Sequence, residues 1–209
     1  MQCTISRSHT VQSVLKELRR DIVMGNIPND TPVTELQFAK DYDCSRAALR
    51  GALTVLEGEG LIRVMPNGTK RISSLTKEDI CHIYELRSYV ECTALSQALS
   101  ADSLDIGRLV MVLENAKNGS DFLSLDALFH ETLVSMSGNK ALMQTWRTFS
   151  PVIRELFSLN FSQSRTLEDS MQDRHMHIIK LLMEKDKEAV EVLREHIEEA
   201  RRLSCGENI

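Results

Sequence analysis

No stretch of this 209-residue chain approaches the ~20 consecutive apolar residues that a membrane-spanning helix needs. The opening MQCTISRSHT also lacks the apolar centre of a secretory signal. The expectation is a cytosolic protein with no membrane partner. Cysteine is sparse and unpatterned: Cys3, Cys44, Cys81, Cys92 and Cys205 are odd in number and never spaced C-x-x-C. That argues against a disulfide framework or a zinc ribbon and reads as isolated buried or reduced thiols. There is no H-E-x-x-H, no glycine-rich phosphate loop, no internal repeat and no low-complexity tract, which removes the commonest signatures of metalloproteases and nucleotide-dependent enzymes.

What is present is ordinary in amount but uneven in placement. Hydrophobic residues make up 42% of the chain and charged residues 26%, a globular composition. The net charge of −5 divides sharply. Residues 1–75 hold ten Lys/Arg against eight Asp/Glu, a net of +2, and the rest holds 15 against 22, a net of −7. A mildly basic head on an acidic body suits contact with phosphate through one end only, with affinity leaning on dimeric presentation.

The pattern from Glu35 to Leu61 organises the head. Leu36, Phe38 and Ala39 mark a short helix, Asp41-Tyr42-Asp43-Cys44 a turn, and Ser45 an N-cap able to accept from the N–H of Ala47 or Ala48. The following helix has its apolar stripe at Ala48, Leu49, Ala52, Leu53 and Leu56, which leaves Ser45, Arg46 and Arg50 off the stripe at its N-terminal end. Such a helix can place its first turns in a DNA major groove. Leu61–Met65 and Thr69–Ile72 read as two strands around the turn Pro66-Asn67-Gly68, a wing with Lys70 and Arg71 giving it a basic tip. Before this motif, Thr10–Met24 reads as a helix with Val11, Val14, Leu15, Leu18, Ile22 and Val23 on one face, ended by Gly25. Arg19 and Arg20 on that helix suit a solvated face or phosphate contact equally, and Pro28 to Pro32 reads as a turn-rich link.

These runs carry a resemblance. LRRDIVMGNI (Leu18–Ile27), TELQFA (Thr34–Ala39), the Ser45-Arg46, Arg50 and Ala52-Leu53 set, and LEGEGLI (Leu56–Ile62) are together similar to the DNA-binding domain of GntR-type bacterial transcription regulators. The chain departs from that pattern at Ala47-Ala48-Leu49, where the family usually carries Thr-Pro-Val, and at Gly51, where it carries Glu. Leu36 stands where some members place a DNA-contacting arginine. The resemblance implies a winged helix-turn-helix domain over residues 1–75 that binds double-stranded operator DNA as a homodimer, in a family whose members are most often repressors.

From Thr76 to the C-terminus the periodicity is helical throughout. Thr76 caps a long helix whose stripe is Ile83, Leu86, Val90, Ala94 and Leu95. Further helices start at Asp102 or Ser103 (stopping at Asn118-Gly119), at Ser120 (stopping at Gly138), at Lys140 with a kink at Pro151, at Leu167 and at Lys187. The fold class expected is therefore mainly α: a winged helix-turn-helix followed by an all-α six-helix bundle over residues 76–209. Glu85-Leu86-Arg87 with Glu91, Phe129-His130, Ser137-Gly138-Asn139 and the His175…His196 pair resemble the FCD effector domain of one branch of these regulators, in its six-helix form.

One constellation in the body carries chemistry. Asp126 and His130 are i, i+4 on one helix face, a common half-site for a divalent transition metal. His175 shares a stripe with Ile178, Ile179 and Leu182, and His196 with Ala189, Val192 and Leu193, so both are aimed into an apolar bundle where polar groups need partners. One ion among three helices satisfies all four; the alternative is hydrogen-bonded core histidines. The resemblance implies that these positions bind a metal that helps hold a small organic acid effector. It also sets the 21-residue interval from His175 to His196 one residue short of the family pattern, with the deletion in the turn near Lys185. His177 competes with His175 as the ligand but lies away from Ile178 and Leu182 and ranks second, and zinc, nickel, manganese and iron all suit the set. Arg87 and Glu91 are an i, i+4 pair that reads as a solvated bridge or, for Arg87, as an effector-binding cation; Trp146 and Phe149 read as core. The competing function is a metal-dependent enzyme acting on a small carboxylate through the same Asp/His set.

Overall fold

The computed structural model describes residues 10–101, 104–117, 122–161 and 165–206. The chain divides into two compact units, Met1–Leu75 and Thr76–Ile209.

In the first unit, α1 (Val11–Val23), α2 (Glu35–Asp41) and α3 (Arg46–Gly58) are followed by strands β2 (Ile62–Val64) and β3 (Lys70–Ile72). The Thr10 hydroxyl caps α1 by accepting from the Ser13 N–H at 3.3 Å. The inward faces of α1 and α3 close on each other through Val14, Leu18, Ile22, Leu49, Ala52, Leu53 and Leu56, all buried. Leu61 and Ile72 carry that core under the wing.

The wing holds a strand that the turn-rich reading of Pro28–Pro32 did not anticipate. β1 (Pro32–Val33) pairs with the free edge of β3, giving the order β1-β3-β2 with Pro32 opposite Arg71 and Arg63 opposite Arg71 on the other side. Proline is tolerated there because β1 is an edge strand, where a missing N–H costs no ladder bond. The wing turn is Met65–Thr69, with Gly68 at φ 79° and the Met65 N–H donating to the Thr69 carbonyl at 2.8 Å. Lys70 and Arg71 lie within β3 and not at that turn, so the expected basic tip is corrected to Pro66-Asn67-Gly68.

Arg19 is also reassigned. Its Nε and Nη2 donate to Glu59 at 2.7 and 2.6 Å, with both side chains at most 10% exposed. This bidentate pair pins α1 to the C-terminal end of α3 and takes Arg19 out of solvent. The Tyr42 hydroxyl donates to Asp21 Oδ2 at 2.7 Å and ties the turn after α2 to α1 in the same way. Burial, then Asp21, pushes the Tyr42 hydroxyl far above its ordinary titration range.

The second unit is all-α among the described residues: α4 (Lys77–Ala101), α5 (Ile106–Lys117), α6 (Phe122–Met136), α7 (Lys140–Phe161), α8 (Arg165–Met183) and α9 (Glu188–Ser204). Thr76 and Asp79 form a reciprocal cap: the Asp79 N–H donates to the Thr76 hydroxyl at 3.1 Å and the Thr76 N–H to Asp79 Oδ2 at 2.8 Å. The expected boundaries at Asp102, Ser103 and Asn118–Asp121 lie outside the described residues. α7 runs on past Pro151 to Phe161. None of the helices described is long and apolar enough to cross a membrane.

The inward face of α4 differs from the apolar stripe expected. Val90, Ala94 and Leu95 of that stripe are buried, but Leu86 is 43% exposed, and the buried residues also include Tyr84, Arg87, Glu91, Cys92 and Ala98. Two charged residues are turned inward: Arg87 pairs with Glu91 on the same helix, and Glu91 meets His130 of α6 and Trp146 of α7, partners that periodicity on α4 alone could not reveal.

Removing the anion of the Arg19 pair leaves a buried guanidinium without compensation. We expect Glu59→Ala to lower the stability of residues 10–75 by roughly 3 kcal/mol, measured by denaturant titration; an unchanged midpoint would show that the pair contributes nothing.

Candidate functional site

The bundle brings together four side chains that lie far apart in sequence. Asp126 and His130 project from one face of α6, His175 from α8 and His196 from α9. His175 Nε2 is 3.1 Å from His196 Nε2, which is 3.2 Å from His130 Nε2. Asp126 Oδ1 lies 3.5 Å from His175 Nε2 and 3.7 Å from His130 Nε2. All four ligand-type atoms fall within 4.8 Å of one another. Neighbouring ligands at about 2.0–2.2 Å from one ion stand roughly 2.8–3.6 Å apart between octahedral and tetrahedral arrangements, a span that takes in all of these distances but the 3.7 Å one. His177, the rival to His175, is exposed on the other side of α8.

The electrostatics of the cluster also fit a cation. Asp126 Oδ1 is buried and accepts no hydrogen bond among the described residues, a costly state for a carboxylate oxygen with nothing positive against it. Burial pushes the Asp126 carboxyl up, against the opposing pull of His130 and Arg87. Burial also drives His175 well below the ordinary imidazole value, helped by His130 and Arg87. For His196 burial acts first, then His175, His130 and Arg87. Both rings are held neutral, the form that ligates metal.

Behind the cluster stands Glu91 on α4, which is 0% exposed. Its Oε2 lies 2.6 Å from His130 Nδ1, and its Oε1 accepts from Arg87 Nε at 2.7 Å and Trp146 Nε1 at 3.1 Å. Burial alone would raise the Glu91 carboxyl, yet Arg87 and His130 together hold it well below the usual carboxylate range. An ionised Glu91 assigns the His130 proton to Nδ1, leaving Nε2 with its lone pair toward the cluster. Phe129 stacks on the His175 ring at 4.0 Å between centroids and fixes its plane.

A narrow cavity opens beside the cluster. Arg87, Asp126, His130, Trp146, Arg154 and Phe157 are among the residues that wall it. It encloses about 20 Å³, room for water and too little for an organic acid without movement of its walls. Arg87 is neither solvated nor a surface bridge: it is buried, anchored to Glu91 through Nε, and is one of the residues that line the cavity. Trp146 is buried, as read from sequence, but donates to Glu91 and lines the cavity as well. Sequence reasoning missed the bond from Glu91 to His130 and the placement of Arg154. The i, i+4 spacing of Arg87 and Glu91 signalled only their own pair, and nothing in the sequence marked either of these two placements.

In the first unit, Ser45 Oγ accepts from the Ala48 N–H at 3.1 Å, so its hydroxyl caps α3. Arg46 and Arg50, both about 60% exposed, reach Glu35 Oε2 at 3.2 and 3.5 Å. Lys70 Nζ pairs with Glu57 at 2.5 Å, and Arg71 Nη1 with Asp30 at 2.7 Å. The two arginines at the head of α3 thus share one acidic neighbour, while the two cations of β3 are each tied to another.

The sequence profile of the FCD domain matches residues 82–199. The chain is 31% identical over 173 residues to the Nta operon transcriptional regulator of Aminobacter aminovorans, covering 79% of this chain and 80% of that protein. It is 29% identical over 195 residues to the gluconate operon transcriptional repressor of Bacillus licheniformis, covering 88% and 80%. Among solved structures, a putative GntR transcriptional regulator from Rhodococcus sp. RHA1 superposes with a TM-score of 0.67 at 22% identity, over 95% of this chain and 99% of that one. The Listeria monocytogenes protein Lar, described as controlling the agr system, superposes at 0.71 and 16% identity, over 94% and 97%.

Glu91 is the acceptor on which two other buried groups depend. We expect Glu91→Ala to destabilise the second unit by about 3–5 kcal/mol, and the double variant Arg87→Met/Glu91→Gln to recover part of that loss. Equal losses in the single and double variants, measured by urea unfolding, would show that the Arg87–Glu91 pair carries no coupling.

Proposed function

From the premise that the chain belongs to the GntR-type transcription regulators with an FCD domain, we propose that it is a repressor whose C-terminal unit binds a small organic acid beside a divalent metal. The chain is a DNA-binding transcription regulator and not an enzyme, which sets aside the reading of the Asp/His cluster as a hydrolytic or oxidative centre. The observation that carries the finer reading is the convergence of three buried imidazole nitrogens on Asp126 Oδ1, an oxygen with no hydrogen bond among the described residues, at the wall of a cavity that Arg87 also lines.

In this reading Asp126, His130, His175 and His196 hold the ion, and Glu91 orients His130. A divalent ion there supplies a Lewis-acidic landing point for a carboxylate. Arg87 and Arg154 offer cationic donors to the same acid, and Trp146 and Phe157 shut out water. That one relative is named for the gluconate operon, and gluconate is a carboxylate, supports the ligand class. The cavity holds only about 20 Å³, so an acid binds a widened arrangement of α6 and α7 in preference to the closed one. A ligand that discriminates in this way shifts the population between the two. In the first unit, Arg46 and Arg50 enter the major groove from the N-terminal end of α3 with Ser45 beside them, and Lys70 and Arg71 meet the backbone or minor groove. A homodimer presents two such units to a two-fold related operator.

Two experiments test this. Arg46→Ala and Arg50→Ala should each weaken operator binding by roughly 1–3 kcal/mol, with one of them relaxing base preference; unchanged binding by both, read by fluorescence anisotropy, would take α3 out of the groove. Elemental analysis of purified protein should find one divalent ion per chain. His196→Ala should lose that ion together with the thermal stability that a ligand bound only to the folded state confers, about 2.7 kcal/mol at a hundredfold excess over Kd. His177→Ala should keep both. Wild-type metal content in His196→Ala would overturn the ligand assignment.

A further inference from the structure

Two thiols that looked isolated in the sequence meet in the fold. Cys81, in the second turn of α4, and Cys205, the C-cap residue of α9, are 124 positions apart, yet their sulfurs stand 3.0 Å from each other. Both are reduced. Bond formation needs the sulfurs to close by roughly 1 Å, to the 2.03–2.05 Å of a disulfide. Three further observations make the pair more than a close contact. Arg201 Nη1 lies 3.5 Å from Cys81 Sγ, a cationic donor placed where an attacking sulfur would carry negative charge. Cys81 is partly open to solvent while Cys205 is buried beneath it, so one thiol can meet a reagent and the other can only follow. The backbone around them is held from both sides: the Cys205 N–H donates to the Arg201 carbonyl at 2.8 Å, and Tyr84 and Ser204 join α4 to α9 through their hydroxyls at 2.7 Å.

We propose that Cys81 and Cys205 form a dithiol site that a hydroperoxide oxidises reversibly to an intramolecular disulfide, with Cys81 as the reacting thiol and Cys205 as the resolving one. The Cys81 thiolate attacks a peroxide oxygen and the O–O bond breaks. Cys81 becomes a sulfenic acid and the departing oxygen takes a proton to leave as water, or as an alcohol from an organic hydroperoxide. Cys205 then attacks the sulfenic sulfur. The S–S bond forms, the S–O bond breaks, and the hydroxide takes the Cys205 proton and leaves as water. One peroxide is reduced by two electrons and two thiols are oxidised by the same two. The remaining described cysteines are not placed for this: Cys44 lies in the first unit, and Cys92 is buried with Ser88 and the Val190 carbonyl against its sulfur. The disulfide would join the start of α4, the helix of Arg87 and Glu91, to the end of α9, the helix of His196. It therefore staples the two ends of the bundle that carries the candidate centre, and it stands independently of whether that centre holds a metal.

The test uses the full chain, reduced, freed of reductant and treated with a small excess of hydrogen peroxide, then denatured, alkylated, digested and mapped by mass spectrometry. The expected product is a Cys81–Cys205 linked peptide lacking two hydrogens, with Cys44 and Cys92 alkylated, and restored to two free thiols by dithiothreitol. In Cys205→Ser the reaction should stop at a Cys81 sulfenic acid, trapped by a cyclic 1,3-diketone; in Cys81→Ser no such adduct should appear at Cys205. A link between chains, a link through any other cysteine, or oxidation of Cys81 no faster than that of Cys44 with no link formed would each overturn the proposal. The wild-type map decides the matter even if a serine variant fails to fold.

Discussion

The second unit depends on one buried anion. Glu91 is shut off from water, and an ionised carboxylate in that position persists only if its oxygens are fully satisfied. Arg87 from its own helix, His130 from α6 and Trp146 from α7 supply the donors. Three consequences run from this arrangement. The His130 proton is committed to Nδ1, the Arg87 guanidinium is anchored by one nitrogen beside the cavity, and α7 is held against α4 by a hydrogen bond as well as by apolar packing. An apolar residue at 91 would fill the same space and undo all three.

The cluster in front of Glu91 is the complement of that arrangement. His175 and His196, kept neutral by burial, stand with His130 against an Asp126 carboxyl raised by burial, a set in which each buried polar group lacks compensation alone. A divalent cation supplies it for every member at once, which is why donors of this kind are found together. The adjoining cavity is water-sized, so its walls rather than its volume define what could enter: cations at Arg87 and Arg154, aromatic faces at Trp146 and Phe157.

In the first unit the arginines divide by burial. Arg19 is spent on Glu59 inside the fold, where the pair holds α1 to α3. Arg46 and Arg50 stand in water and share Glu35 at the edge of hydrogen-bond range. Exposed pairs of that kind contribute little stability, about 0–1 kcal/mol, so releasing Arg46 and Arg50 from Glu35 costs little. The buried pair holds the scaffold, and the exposed one leaves both guanidinium groups open to exchange with solvent.

The helical periods, the turns at Gly25, Gly68 and Gly138, the caps at Ser45 and Thr76 and the His/Asp spacing were all legible from residue order, because each depends on interactions within a few positions. On that basis the winged helix, the all-α body and the convergence of Asp126, His130, His175 and His196 could be anticipated, with His175 preferred over His177 by its apolar stripe. Tertiary structure alone decided which face of α4 turns inward, that Pro32 belongs to a strand, that Arg19 is internal, and that Cys81 lies on Cys205. Each of those outcomes rests on a partner tens of residues away: Glu59 for Arg19, β3 for Pro32, α9 for Cys81, and His130 with Trp146 for the charged face of α4. A charged or polar side chain carries no sign in its own neighbourhood of whether such a partner exists. The sequence therefore determined the elements and their ligand-type residues, and the fold determined which polar groups could afford to be buried.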